Sequence, residues 1–348
     1  MKALCNLRTW MVVILGFMLI GSGGAAHGGP IILKVSAHTP PPIPHSRAGM
    51  WIIQEVEKRS KGQIKVEYYY SSSLIPAKET IAGLQDGVAD IAFVNATYEP
   101  GRLPLSTVAT LPATSPGRYY PTAKAVADLY KMPEMKAEID QYNIMYLGPL
   151  PNTSYGVWSK KPLRSLADLR GLKVLATGEH ATLMKTLGAV PVSMVSPEAY
   201  SALQKGILDG GLANPTMGIG YKWEEVCAYF YALPIGNYGM FVGMNKNSWK
   251  KLPAGVQKMF QDLHDEACRQ AHQIYQGYGD QMLKKVVAEK RVTVQQPSAE
   301  DVTALKKIAK EEIWIKWVKK MEEKKLAGQK VLDRWLELLQ FYHAQSPL

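Results

Sequence analysis

Short apolar runs rich in β-branched residues alternate with stretches of helical periodicity, and this alternation restricts the possible folds more than any other feature of the sequence. Residues 31–37, 64–70 and 89–94 are predicted strands, and apolar residues recur at helical spacing between them. Strands that are joined through helices pair side by side in a parallel sheet. The chain is therefore predicted to be an α/β protein.

The same alternation returns in the second half of the chain, at residues 154–159, 172–176 and 190–194. The pattern Leu-Gln-x-Gly-x-x-Asp occurs at residues 84–90 and again at residues 203–209. Its glycine suits the left-handed turn that ends a helix, and its aspartate leads into the next strand. Since 348 residues also exceed what one small core holds, two similar lobes are expected.

The chain after residue 249 is predicted to be helical, with long amphipathic segments at residues 253–290, 299–325 and 328–343. One of these segments carries an apolar stripe that could bind a membrane surface, although packing on the core of the protein is favoured. The stripe consists of Ile313, Trp314, Trp317, Val318 and Met321.

The N-terminus has the composition of an export signal. Lys2 and Arg8 precede an apolar run at residues 10–20, which is shorter than the ~20 residues that span a bilayer. Small residues follow, and cleavage is predicted after Ala26, with an uncleaved anchor as the less favoured alternative. An exported, periplasmic protein is expected.

Export decides how the charge and the cysteines are interpreted. For a net charge of +11 on an exported protein, a solvated basic surface is the favoured interpretation, and no nucleic-acid partner is expected. Cys227 and Cys268 remain after removal of the signal peptide. They are interpreted either as a disulfide or as two buried thiols.

The sequence contains no catalytic motif. Gly-x-Ser-x-Gly, a phosphate-binding loop and Gly-x-Gly-x-x-Gly are absent, and the seven histidines show no metal-ligand spacing. We therefore predict no catalytic residues, no metal site and no cofactor. An exported enzyme is the least favoured class.

Polar and aromatic side chains follow the predicted strands. Ligands of open α/β sheets bind beyond the carboxyl ends of the strands, in pockets that combine apolar walls with a few polar groups. The predicted ligand-binding residues from this argument are His38, Thr39, Ser73, Asn95, Tyr98, Tyr155, Thr177, Asn214 and Tyr238.

Several ordered motifs resemble one family. Residues 165–174 (SLADLRGLKV), 187–192 (LGAVPV) and 200–206 (YSALQKG), with Asn214-Pro215 after them, are similar to the DctP-type solute-binding subunits of TRAP transporters. The resemblance covers about residues 31–290. It implies two α/β lobes of the periplasmic binding protein type, with the solute in a cleft between them, and a helical C-terminal region. Its implied partners are one small and one large integral membrane subunit, driven by an ion gradient.

The lobes that this resemblance implies can be placed on the chain. The signal peptide is assigned to residues 1–26, and the first lobe to residues 31–152, completed by about residues 240–284. The second lobe is assigned to residues 153–239, completed by about residues 285–348. Two such lobes are expected to close on the solute by a hinge motion.

The departures from the family pattern concern the solute. Leu175 is a tenth predicted ligand-binding residue. At its position the family usually has an arginine that forms a bidentate hydrogen bond with a solute carboxylate. Tyr155 replaces an auxiliary arginine, and Asn95 replaces an acid. A buried carboxylate without a partner is costly, so a neutral or aromatic solute is predicted. An acid bound by another group remains open, with Lys222, Arg118 and His38 as the substitutes considered.

Other binding functions remain open at this stage. The binding subunit of an ATP-driven importer is the nearest alternative, and a sensor domain that feeds a receptor is another. The solute itself and the oligomeric state are not specified by the sequence.

Overall fold

The computed structural model describes residues 29–115 and 117–346, so the predicted signal peptide lies outside the described residues. The strands belong to two sheets. They are β1 (Ile31–Ser36), β2 (Ile64–Tyr69), β3 (Ile91–Val94), β4 (Ile144–Pro151), β5 (Tyr155–Ser159), β6 (Lys173–Leu175), β7 (Val190–Val192), β8 (Gly210–Ala213), β9 (Tyr229–Gly236), β10 (Gly239–Asn245) and β11 (Thr293–Gln295).

The first sheet has the order β2-β1-β3-β10-β4. Strands β1, β2 and β3 are parallel, whereas β10 runs antiparallel to both of its neighbours. The second sheet has the order β11-β9-β5-β8-β6-β7, with parallel pairs β8-β6-β7 and an antiparallel β5. We call the first sheet and the helices on it the first lobe, and the second sheet with its helices the second lobe. The predicted α/β class is confirmed.

Fourteen α-helices in the described residues accompany the sheets. They are α1 (Pro44–Arg59), α2 (Thr80–Gln85), α3 (Tyr119–Leu129), α4 (Pro133–Asp140), α5 (Gly178–Thr186), α6 (Ala199–Gln204), α7 (Pro215–Gly220), α8 (Lys246–Lys251), α9 (Ala254–Asp262), α10 (His264–Gln273), α11 (Gly279–Ala288), α12 (Ala299–Ile308), α13 (Ile315–Glu323) and α14 (Gly328–Gln345). The π-helical segments Ile274–Tyr278 and Ala309–Trp314 join α10 to α11 and α12 to α13.

The repeated Leu-Gln-x-Gly-x-x-Asp pattern has the same structure in both lobes. Gly87 and Gly206 follow α2 and α6, and each has a φ of +74°, which a glycine adopts without strain. Asp90 then accepts a hydrogen bond from Lys34 N at 2.7 Å, as Asp209 accepts one from Lys173 N at 2.9 Å. The repeat therefore marks equivalent positions in two similar lobes.

Two crossing segments lead directly from a strand of one sheet to a strand of the other. The first leads from β4 to β5, and the second leads from β9 to β10. They are joined by hydrogen bonds from Asn152 N to Tyr238 O at 3.2 Å and from Asn237 Nδ2 to Asn152 O at 3.1 Å. The helices between β10 and β11 link the lobes as well, and the two crossing segments are the short connections about which the expected hinge motion would turn.

The C-terminal region contacts both lobes. Strand β11 adds to the edge of the second sheet, while α14 packs against α3 of the first lobe. The apolar stripe of residues 313–321 is core, because Ile313, Trp317 and Met321 are at most 1% exposed. The prediction of core packing for this stripe is confirmed. The proposed lobe boundaries themselves stay a prediction.

Cys227 and Cys268 are free thiols in the structure, and both are buried. Burial raises the pKa of each thiol to about 12, so neither is ionised at neutral pH. The structure therefore agrees with the interpretation of these cysteines as two buried thiols. Among residues 29–115 and 117–346, no helix has the length and apolar character to span a bilayer.

Candidate functional site

A buried cavity lies between the two lobes, next to the crossing segments. The centres of water-sized spheres can occupy only about 20 Å³ of it, so the walls lie close together in this structure. Its walls come from the carboxyl ends of β1, β3 and β6, from both crossing segments, and from the start of α1. The lining residues are His38, His45, Asn95, Tyr98, Asn152, Tyr155, Leu175, Thr177, Met194, Ser196, Leu212, Met217, Tyr238 and Met240.

Seven of the ten predicted ligand-binding residues line this cavity. These seven are His38, Asn95, Tyr98, Tyr155, Leu175, Thr177 and Tyr238. Five of them follow or end parallel strands, whose carboxyl ends meet at one edge of each sheet, whereas Tyr155 and Tyr238 reach that edge at the starts of the antiparallel strands β5 and β10. Their role in binding stays a prediction.

The other three predicted residues lie elsewhere. Thr39 is buried and its hydroxyl bonds Ser46 Oγ at 2.6 Å near the start of α1. Ser73 is exposed in the loop after β2. Asn214 uses its side-chain oxygen to cap α7 through Met217 N at 2.8 Å. These three side chains do not line the cavity.

Sequence reasoning missed half of the lining. The missed residues are His45, Asn152, Met194, Ser196, Leu212, Met217 and Met240. The apolar ones belong to buried segments, where periodicity does not distinguish a cavity wall from core. His45 and Asn152 are polar residues beside predicted element ends, and that position could have identified them.

The opposing edges of the lobes touch above the cavity. Thr177 of the second lobe donates a hydrogen bond to Thr97 of the first lobe at 3.4 Å, and Tyr98 hydrogen-bonds Ser196. Gly178 has a φ of +55°, and a Cβ there would lie 3.1 Å from Thr97 Cγ2. The structure is therefore a closed form, in which a glycine allows the lobes to approach.

Aromatic rings form one wall of the cavity. Tyr155 and Tyr238 meet edge to face, with ring centroids 4.8 Å apart, and both are buried. The ring of His180 in α5 also packs against Tyr238, with ring centroids 4.6 Å apart. On the first lobe, Tyr98 meets His38 edge to face at 5.6 Å. Such a wall favours a flat or apolar portion of a ligand.

Amide and hydroxyl groups on this wall are held by local hydrogen bonds. Asn95 Oδ1 accepts from Thr97 N at 3.0 Å and from Thr97 Oγ1 at 2.8 Å, so the amide nitrogen is the end left for a ligand. The Tyr155 hydroxyl accepts from Asn152 Nδ2 at 3.4 Å, which leaves its own hydrogen to donate. Both groups can therefore donate a hydrogen bond to an acceptor atom of a solute.

The cavity walls carry no fixed charge. Among the lining residues that the structure describes, none is Lys, Arg, Asp or Glu. Burial lowers the pKa of His38 to about 4 and, together with the nearby His38, that of His45 to about 3. Both imidazoles are therefore neutral at neutral pH.

The charged substitutes considered for the missing arginine lie away from the cavity. Lys222 is exposed and pairs with Glu225 at 4.0 Å. Arg118 donates to Ser346 O at 3.0 Å and also bonds the end of α14. Of the three candidates, only His38 lines the cavity. Metal ligands do not cluster in the described ranges 29–115 and 117–346.

Comparisons with known proteins agree with this architecture. The family model described as bacterial extracellular solute-binding protein, family 7 (DctP) matches residues 42–324. A curated solute-binding protein of Albidiferax ferrireducens is 28% identical over 220 residues, which is 61% of this chain. The match spans 63% of that relative, which is less than two thirds of its length.

Solved structures share the fold over most of their length. A TRAP periplasmic solute-binding protein from Desulfovibrio salexigens is 29% identical with a TM-score of 0.76, covering 91% of this chain and 98% of that protein. A TRAP solute-binding protein from Rhodoferax ferrireducens, in complex with copurified benzoate, is 21% identical with a TM-score of 0.83. That comparison covers 90% of this chain and 99% of the other.

Proposed function

The chain belongs to family 7 of the bacterial extracellular solute-binding proteins, the DctP family, and we propose that it captures a small organic solute between its lobes. The solute is delivered to a TRAP-type membrane transporter with one small and one large integral membrane subunit. The protein acts in the periplasm after export, and it binds its solute without changing it. A binding subunit of an ATP-driven importer is not favoured, because the structural neighbours with this architecture are TRAP proteins.

The solute is aromatic or otherwise flat and largely apolar, and small aliphatic dicarboxylates are excluded. The observation that carries this proposal is a cavity between the lobes that has aromatic walls and no Lys or Arg among its described lining residues. A dicarboxylate buried there would lose its hydration without gaining a cationic partner, which costs on the order of several kcal/mol per charge. The benzoate complex of the Rhodoferax protein supports an aromatic solute for a protein of this fold.

Solute screening by thermal shift, followed by calorimetry, tests the function. We expect benzamide or a neutral substituted relative to stabilise the protein more than benzoate, whose single carboxylate lacks a cationic partner, and succinate or a sugar acid to have no effect. Because no ion pair forms across the cavity, affinity is expected to change little with ionic strength. Each solute is recovered unchanged after incubation, as for a binding protein. Tight, salt-dependent binding of succinate would contradict the proposed solute class.

Two lining residues are expected to contribute measurably to affinity. Tyr155→Ala removes an aromatic contact and a hydroxyl donor, and Asn95→Ala removes the amide donor. Each loss is worth about 0.5–1.5 kcal/mol, so each variant should bind the best solute of the screen several-fold more weakly. Tyr155→Phe is the matched control, because it keeps the ring and should retain most of the affinity. Calorimetry on the three variants gives the comparison, and unchanged affinity in Tyr155→Ala would place the solute elsewhere.

A further inference from the structure

His45 has one bonded and one unbonded ring nitrogen. It lies in the first turn of α1, is 1% exposed and lines the cavity. Its Nδ1 is 2.7 Å from the Tyr275 hydroxyl and 3.1 Å from Asn152 Oδ1. Its Nε2 is buried without a hydrogen-bond partner among the described residues. Because Nδ1 is already bonded, Nε2 is the ring nitrogen that remains to bond a solute.

The bonds around Nδ1 determine which nitrogen carries the hydrogen. The Tyr275 hydroxyl lies 2.8 Å from Asn152 Oδ1, and an amide oxygen can only accept, so Tyr275 donates to it. The hydroxyl then offers only lone pairs to His45, so Nδ1 is the donor. A neutral imidazole has one N–H, which leaves Nε2 as a bare acceptor.

The surroundings of His45 keep this tautomer neutral. Its titratable neighbours are Tyr275, which donates to Asn152, and His38, whose ring centroid is 6.1 Å away. Phe93 covers another side at 5.8 Å. A second proton on His45 would be a buried charge beside uncharged groups, which is unfavourable.

We propose that His45 Nε2 accepts a hydrogen bond from a hydroxyl or N–H group of the solute, so that the site selects ring-containing solutes that carry such a donor. The proposal rests on the proposed function and makes its solute class more specific. The Asn95 amide nitrogen and the Tyr155 hydroxyl bind acceptor atoms, whereas Nε2 is the acceptor that a solute donor satisfies. A solute without a donor leaves Nε2 buried and unpaired, which opposes its binding.

Pairs of probes that differ by one hydroxyl test the proposal. Benzoate and benzamide are compared by calorimetry with their 2-, 3- and 4-hydroxy derivatives, on the full mature chain. We expect at least one hydroxylated isomer to bind about tenfold more tightly than its parent, the effect of one satisfied hydrogen bond. If no isomer exceeds its parent, the proposal is overturned and the proposed function stands. If no probe binds at all, the proposed solute class fails, and the inference fails with it.

Two variants distinguish loss of the hydrogen-bond acceptor from loss of the folded structure. His45→Asn keeps a group near the position of Nδ1 and removes the acceptor, so it should lose the preference for the hydroxylated probe. His45→Gln places an oxygen near the position of Nε2 and should retain that preference. Equal preference in wild type and His45→Asn, in folded protein by circular dichroism, overturns the proposal.

Proton uptake on binding distinguishes a neutral His45 that accepts a hydrogen bond from a protonated His45 that pairs with a carboxylate. Calorimetry of benzoate and its best hydroxylated isomer, in buffers of different ionisation enthalpy between pH 6 and 8, should show no proton bound with the solute. Uptake of about one proton, with affinity for benzoate falling as pH rises, would mean that His45 charges to hold the carboxylate. That result overturns the proposal.

Discussion

Trp317→Ala is expected to lower the free energy of unfolding by about 3–5 kcal/mol, the usual range for a buried tryptophan truncated to alanine. Trp317 is 1% exposed, and its indole N–H donates to Thr107 Oγ1 at 2.7 Å. The substitution therefore opens a large cavity and leaves a buried hydroxyl with one partner fewer. Since Thr107 belongs to the first lobe, the loss reports on how firmly the C-terminal helices attach to it.

Ile315→Ala is the matched control for this prediction. Ile315 is only two positions away in the chain but is 61% exposed, so its truncation should change stability by no more than about 0.5 kcal/mol. Urea denaturation, followed by circular dichroism, measures both variants. Similar effects of the two substitutions would contradict the assignment of the stripe to the core. A normal stability of Trp317→Ala combined with weaker binding to vesicles would instead favour the membrane interpretation.

Local patterns were enough to predict the α/β class and the two similar lobes, and the Leu-Gln-x-Gly-x-x-Asp repeat places Gly87 and Gly206 at the same turn in each lobe. Side-chain periodicity also predicted the burial of the stripe around Trp317, because helical spacing puts its members on one face. Each of these features depends on residues close together in sequence. Local patterns did not predict β4, β9, β10 and β11, or the antiparallel pairing of β5 and β10, which depends on contacts between distant segments.

The site was less predictable, because its geometry depends on contacts between distant segments. His45, Asn152 and Tyr275 form one hydrogen-bonded group although they are separated by 107 to 230 residues. Neither spacing nor composition shows that Tyr275, in a π-helical segment, reaches the crossing segment at Asn152. Asn214 does not line the cavity, and its side-chain oxygen caps α7. Strand ends predict where a cavity lies, but not which polar groups are already bonded.

Leu175→Arg is expected to reverse the solute preference, and it is the second large effect. Leu175 ends β6, is 4% exposed and faces the cavity at the position where the family usually has arginine. A guanidinium there has no anionic partner among the described lining residues, so the unliganded variant should lose about 3 kcal/mol of stability. The longer side chain also fills space against the aromatic wall. Binding of benzamide should therefore fall by about 100-fold, or about 2.7 kcal/mol.

Carboxylate solutes supply the partner that the new guanidinium lacks. Succinate should stabilise Leu175→Arg in thermal shift and leave the wild type unaffected, and its affinity should fall as salt is added. Leu175→Met is the control, because a hydrophobic exchange of similar volume costs less than about 1.5 kcal/mol and should keep the wild-type preference. If Leu175→Arg folds, still binds benzamide with wild-type affinity and ignores succinate, the side chain at position 175 does not face the solute. The uncharged wall at this position would then not be the cause of the proposed preference.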